Sequence, residues 1–192
     1  MTFNYLIDYV RAPVPYDTGR IYRAQEEILL TKVKTTDPVS GPVLALDLGD
    51  KLVGAAISDE RLITTKRLPP LKRSNWKKLL QDVRHLLERY DAKTIVVGLP
   101  LSMDGSEGDA AKNVRRMALN LAKSVQQPVY LQDERLTSRA AMENLLAEGV
   151  KPEEIPALID GEAAATILRD FLVTDQIRIR VIQITNTFVN QT

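Results

Sequence analysis

The chain has 192 residues, 44% of them hydrophobic and 27% charged, with a net charge of +1; this suits one well-buried core in an ordinary globular protein. It has no cysteine and a single histidine, His85, which excludes disulfides, zinc–thiolate sites, cysteine nucleophiles and poly-histidine metal sites. Any catalytic metal must therefore be held by oxygen ligands, which favours magnesium or manganese.

No apolar run is long enough to span a membrane. The N-terminus lacks a secretory h-region, and five acids between Asp8 and Asp37 argue against a transit peptide, so the expected location is cytoplasmic. Residues 1–42 read as an N-terminal extension of unknown role. Arg11 to Gly19 is turn-like, Arg23 to Thr31 suits a short helix, and Lys34 to Pro42 is a linker.

From Val43 to Asp59 two apolar runs flank the Gly49-Asp50 turn, a pattern that predicts a β-hairpin. Strand alternation puts Val43, Ala45 and Asp47 on one face. A carboxylate closing an apolar strand is costly unless a cation meets it, although Asp is also a common turn former. Ile63 to Leu68 supplies a third strand, stopped by Pro69-Pro70, and Ser74 caps a helix reaching Tyr90. Leu79, Leu80, Val83, Leu86, Leu87 and Tyr90 form its core-facing stripe. His85 falls on the polar side as a solvated residue, and Trp76 packs near the helix start.

Between Lys66 and Lys93 nine basic residues stand against three acids, a local +6 in a chain of +1. Such a strip, with Lys72, Arg73 and Lys77, suits a polyanion gripped through its phosphates; charge runs also occur as solvated helix faces. Thr94 to Gly98 is an unalternating β-branched run, the mark of a strand buried on both faces. A loop, Leu99 to Ser106, feeds a helix with Ser106 and Asp109 in capping-box spacing and an apolar stripe reaching Val125. Pro128 to Gln132 is a strand followed by Asp133-Glu134-Arg135. Thr137 or Ser138 caps a helix ending at Gly149, and Pro156 opens the last helix, reaching about Val173. Ile177 to Val189 has β propensity and suits an added edge strand.

Three antiparallel strands followed by helix, strand, helix, strand and two helices define an α/β, ribonuclease H-like fold. Its expected form is a mixed five-stranded sheet with helices on both faces, spanning residues 43–173. Residues 174–192 form a C-terminal extension, an edge strand or disordered.

Three acidic positions lie where this fold can gather them: Asp47, the Asp133-Glu134 pair and Asp160. The helical partners of Asp160 at i+4, i+7, i+8 and i+11 are Ala164, Ile167, Leu168 and Phe171. Asp160 thus heads the buried stripe, while Glu162 points elsewhere. An acid in a first turn also complements the helix dipole. Carboxylates from separate elements, without histidine or cysteine, make a hard-cation site; two metals roughly 3.5–4 Å apart can clamp a scissile phosphate.

The strings Leu46-Asp47-Leu48-Gly49-x-Lys51, Gly98–Glu107 (GLPLSMDGSE), Asp133–Ser138 (DERLTS) and Ile159–Leu168 (IDGEAAATIL) closely resemble the YqgF/RuvX family. Its members are ribonuclease H-like proteins described as Holliday-junction-resolvase-like or as nucleases maturing precursor 16S ribosomal RNA. The resemblance covers Val43 to Leu172. It implies that Asp47, Asp160 and the Asp133-Glu134 pair are catalytic, with Asp47, Glu134 and Asp160 as metal ligands for Mg²⁺ or Mn²⁺. Glu134 ranks above Asp133, a choice the sequence leaves open. Lys51 and Arg135 become phosphate contacts, and the Gly105 and Ser106 amides, at a helix N-terminus, offer a further one. Asp59 also fits the family pattern, and reads equally well as a turn residue. Leu52 departs from it, standing where the family usually has arginine.

The expected function is metal-dependent endonuclease action on structured nucleic acid, with precursor ribosomal RNA preferred over branched DNA. Junction resolution needs a symmetric dimer, and the sequence fits a monomer or a homodimer. Two other classes compete. Actin-like sugar kinases and ATPases open with a similar hairpin but need two such domains. A non-catalytic nucleic-acid-binding factor in transcription or ribosome assembly would not need Asp47, Glu134 and Asp160 intact.

Overall fold

The structure is a computed structural model that describes residues 30–33, 39–135, 137–173 and 178–181. In chain order its elements are β1 (Leu30–Val33), β2 (Val43–Leu48), β3 (Leu52–Ser58), β4 (Thr65–Lys72), α1 (Trp76–Arg89), β5 (Thr94–Leu99), α2 (Asp109–Ala122), β6 (Val129–Asp133), α3 (Thr137–Ala147), α4 (Ile155–Val173) and β7 (Arg178–Val181). All strands join one sheet in the order β1-β7-β6-β5-β2-β3-β4. β2, β3 and β4 form the antiparallel meander, while β5 pairs parallel with both β2 and β6.

This is the ribonuclease H-like arrangement, with seven strands among the described residues rather than five. The two additions come from the extensions. β7 pairs antiparallel with β6, and β1 pairs antiparallel with β7. Leu30 and Thr31, read as the end of a helix, belong to β1. The turn at 11–19, the rest of that helix, most of the 34–42 linker and residues 182–189 lie outside the described residues.

Strand alternation divides the core into two layers. Leu44, Leu46, Val53, Ala55 and Ile57 face α1 and α2. Val43, Ala45, Ala56 and Val96 face Ala164, Ala165, Ile167, Leu168 and Phe171 of α4. Asp47 continues the second set, so its side chain leaves the sheet on the α4 side.

Several boundaries differ from expectation. β4 runs through Pro69-Pro70 because it is an edge strand and the proline pair falls at a bulge, where the register jumps between Val53↔Leu71 and Ala55↔Leu68. The cap of α1 is Asn75, not Ser74; the Asn75 side chain accepts the Lys78 N–H at 2.9 Å. Asn75→Ala should therefore cost about 1 kcal/mol, read as a Tm lower by about 2–4 °C. The capping box at Ser106 does not form. α2 starts after Gly108, which supplies no side-chain cap, and the Ser106 N–H bonds the Asp104 carboxylate at 2.9 Å. Thr137 is the first residue of α3 rather than its cap. Gly149 ends that helix at φ 78°, with the Val150 N–H returning to the Leu145 carbonyl at 3.0 Å. Trp76 packs half-buried against the core, and His85 is exposed.

Candidate active site

The ends of β2, β5 and β6 bring the acids to one edge of the sheet. Asp47 sits on β2 opposite Gly54 of β3. Asp133 pairs with Leu99 at the end of β5, and the Glu134 N–H bonds the Leu99 carbonyl at 3.2 Å. Two glycines make room above the sheet. A Cβ at Gly54 would run into the Asp160 carbonyl oxygen and lie 3.3 Å from the Asp47 Cβ. A Cβ at Gly98 would strike the Glu134 carboxylate, whose Cδ lies 3.0 Å from it, and the end of Ile167. Asp160 and Glu134 thus arrive on the same face as Asp47, from α4 and from the β6–α3 loop.

The electrostatics record this convergence. Burial, then the charge of Asp160, pushes the Asp47 carboxyl up to about 6. Burial, then the charges of Asp47 and Asp133, pushes Glu134 up to about 8. The like charges form a row, Asp160 beside Asp47, Asp47 beside Glu134 and Glu134 beside Asp133. Among the described residues, no group of three such side chains is drawn tightly enough to hold one ion as it stands.

Asp133 and Glu134 have different surroundings. Asp133 is engaged by its neighbour, accepting from Arg135 Nη2 at 2.7 Å and from its Nε at 2.8 Å. Glu134 is the one directed over Gly98 toward Asp47.

The predicted basic contacts separate in space. Lys51 is exposed in the β2–β3 turn, Lys72 is exposed at the end of β4 opposite Leu52, and Lys77 is exposed in the first turn of α1. All lie at the edge that carries Asp47. Arg73 is committed to the turn itself, its Nη1 donating to the Gly49 carbonyl at 2.9 Å. Lys66 and Arg67 begin β4, and Arg89 and Lys93 lie near the far end of α1, so the +6 segment is not one continuous surface. Arg135 also donates to the Met103 carbonyl at 3.4 Å, tying the 100–108 loop to Asp133. The Gly105 N–H is taken by the Ser102 carbonyl at 2.8 Å and that of Ser106 by Asp104. A phosphate contact through those two amides is closed in this conformation. Asp59 is a turn residue, accepting from the Ile63 and Thr64 amides at 2.7 and 2.9 Å, which holds its carboxyl below the usual range.

The two cradle glycines escaped the sequence reading. Their signal was present, since a glycine inside a strand marks a close approach.

A family model described as "RuvX: Holliday junction resolvase" matches residues 41–174. The chain belongs to the RuvX family. It is 40% identical over 129 residues, 67% of this chain and 85% of the other, to a protein of Trichormus variabilis named "Putative pre-16S rRNA nuclease". A protein of the same name from Syntrophus aciditrophicus is 36% identical over 130 residues, 68% of this chain and 87% of the other. Among solved structures, Thermus thermophilus RuvC in complex with a Holliday junction substrate aligns over 72% of this chain and 99% of its own, with a TM-score of 0.48 and 17% identity. The RuvX match contains Asp47, Asp133, Glu134 and Asp160, whereas β1 and β7 lie outside it.

Proposed function

We propose that this RuvX-family chain is a divalent-metal-dependent endonuclease, acting in the cytoplasm on the 5′ end of precursor 16S ribosomal RNA. The observation that carries this reading is the pair of desolvated carboxylates, Asp47 and Glu134, held on one face with Asp160. Like charges collected in a partly dry site oppose one another, and a hard cation relieves that opposition. The donor set fits such an ion, being all oxygen with no histidine or cysteine among the gathered groups. The names of the curated relatives point to the same substrate.

In this reading Asp47, Glu134 and Asp160 would hold Mg²⁺ or Mn²⁺, with Asp47 standing between the other two. When bound, such ions supply hydroxide from water and stabilise the departing oxygen. The chain's own residues place the phosphodiester. Lys51, Lys72 and Lys77 grip flanking phosphates as point charges, and Lys72, directly across from Leu52, supplies a cation beside the position where the family usually has arginine. Arg73 keeps the Lys51 turn in place. Arg135 contributes by exchanging part of its Asp133 contact for phosphate, and the Ser106 hydroxyl and Gly105 edge the same loop. Asp133 orients Arg135 rather than binding metal.

Incubating the full chain with a precursor 16S RNA fragment and with a four-way DNA junction, each with Mg²⁺ or EDTA, tests this. Metal-dependent cleavage of the RNA is expected. The description of the matching family favours one second reading, resolution of branched DNA by a homodimer; cleavage of the junction alone would establish it. Binding of both substrates without cleavage would put the non-catalytic factor first.

The pH dependence follows from the raised carboxyls. Cation binding must displace protons from groups titrating at about 6 and about 8. Apparent Mg²⁺ affinity should therefore rise roughly tenfold per pH unit between about pH 6 and 8. Calorimetric titrations in buffers of different ionisation enthalpy check this by counting released protons. A pH-independent affinity with no proton release contradicts it.

A further inference from the structure

Two residues beyond Asp160, α4 carries a buried carboxylate that the proposed chemistry does not use. Glu162 is 1% exposed. It accepts from Arg67 Nη1 of β4 at 2.9 Å, from Asn144 Nδ2 of α3 at 3.0 Å, and from Arg169 two turns further along α4. Arg67 reaches in the other direction to Glu148 at 2.8 Å. Thr166 donates back to the Glu162 carbonyl at 3.0 Å and accepts from Arg169. Two arginines and two glutamates balance, so the cluster projects no net charge toward the acids.

Its location suggests what it does. The neighbouring stretch of α4 is Ala163-Ala164-Ala165, small side chains that permit close approach but resist sliding weakly. Residues 161–168 are buried throughout, with the large apolar side chains, Ile167 and Leu168, at the far end of that stretch from Asp160. Directional ion pairs can fix a helix along its axis where small side chains do not. The residues from Asp160 to Glu162 each meet the sheet. The Asp160 carbonyl lies over Gly54, and a Cβ at Gly161 would stand 3.3 Å from the Leu68 carbonyl and 3.5 Å from the Arg67 Cβ. Glu162 then closes on Arg67.

We propose that Glu162 is the positioning residue for Asp160: the ion pair of its buried carboxylate with the half-buried Arg67 sets the register of α4 against β3 and β4 and so delivers the Asp160 carboxylate to Asp47. This rests on the nuclease reading for its consequence in catalysis, but not for its consequence in structure.

The test compares wild type with Glu162→Gln, which keeps shape and loses charge, and with Glu148→Gln, which removes only the outer partner of Arg67. Three quantities are measured: kcat and KM on the precursor RNA, the Mg²⁺ concentration at half-maximal rate, and the Gly54 amide resonance in the metal-free full chain. For Glu162→Gln we expect kcat to fall about 10–100-fold with KM unchanged, half-saturation to move to higher Mg²⁺, and the Gly54 resonance to shift. Glu148→Gln should leave all three near wild type. A Glu162→Gln protein with a lower Tm but wild-type kcat, Mg²⁺ response and Gly54 resonance overturns the proposal. If that variant fails to fold, Arg67→Lys, which keeps charge and loses the planar fork, is read by the same criteria. Should wild type cut neither substrate, the nuclease reading fails, and the Gly54 resonance alone decides whether Glu162 sets the position of α4.

Discussion

Asp47→Asn should lower metal-dependent cleavage about 10³-fold, the loss of roughly 4 kcal/mol of transition-state stabilisation, while making the metal-free protein more stable at pH 8. The two effects have one cause. Burial and Asp160 raise the Asp47 carboxyl to about 6, so the folded state holds a proton where the unfolded chain has released it. For an acid shifted this way, stability is fully present below the unfolded pKa and is lost as pH rises through the folded one. With Glu134 at about 8, metal-free wild type should lose stability steadily between about pH 4 and 8. Asparagine removes the Asp47 share of that loss, of order 1–2 kcal/mol after discounting for partial exposure. Thermal unfolding in EDTA at pH 8 should then show a Tm about 3–6 °C higher for the variant. A Tm that falls, or activity within tenfold of wild type, contradicts the role given to Asp47.

Gly54→Ala should destabilise the fold by about 3 kcal/mol or more and abolish cleavage along with it. The clash is with the Asp160 carbonyl oxygen, which is backbone of a buried helix and cannot rotate away. Relief requires moving α4 off the sheet. Gly98→Ala differs, because its added methyl meets the end of the Glu134 side chain and Ile167. It should cost only about 1–2 kcal/mol yet lose most activity, since the displaced group is a proposed ligand. Gly108→Ser is the control, with nothing within 4 Å of its Cβ and a better cap for α2. Chemical denaturation of the three variants, with cleavage rates per folded molecule, separates these outcomes. Equal stability for Gly54→Ala and Gly108→Ser contradicts the close approach of α4.

The sequence was most legible where a single periodicity governs a residue. Alternation along β2 placed Asp47 on the face of Val43 and Ala45, and its Cβ does stand beside Gly54 on the α4 side. The helical spacing from Asp160 to Phe171 put Asp160 at the head of the buried stripe, where it is half-buried with its carbonyl over Gly54. The adjacent pair Asp133-Glu134 was not separable, because which of the two turns over Gly98 depends on how the chain leaves β6 and on Arg135 capturing Asp133. Neighbouring candidates also exchanged at the start of α1, where Asn75 caps instead of Ser74. The proline pair stopped β4 on paper but not in the sheet, since an edge strand has one side without ladder partners. Glu162 was read only as pointing away from the stripe. That its carboxylate is buried, and that Arg67 and Asn144 reach it from distant segments, follows from tertiary packing of β4 and α3 on α4.

The most direct test is to locate Mn²⁺ by anomalous diffraction in crystals of the full chain. Metal bound by the carboxylates of Asp47, Glu134 and Asp160, with Asp133 still paired to Arg135, is the expected result. Metal seated on Asp133, or no ordered metal at these carboxylates in crystals saturated with Mn²⁺, would contradict it.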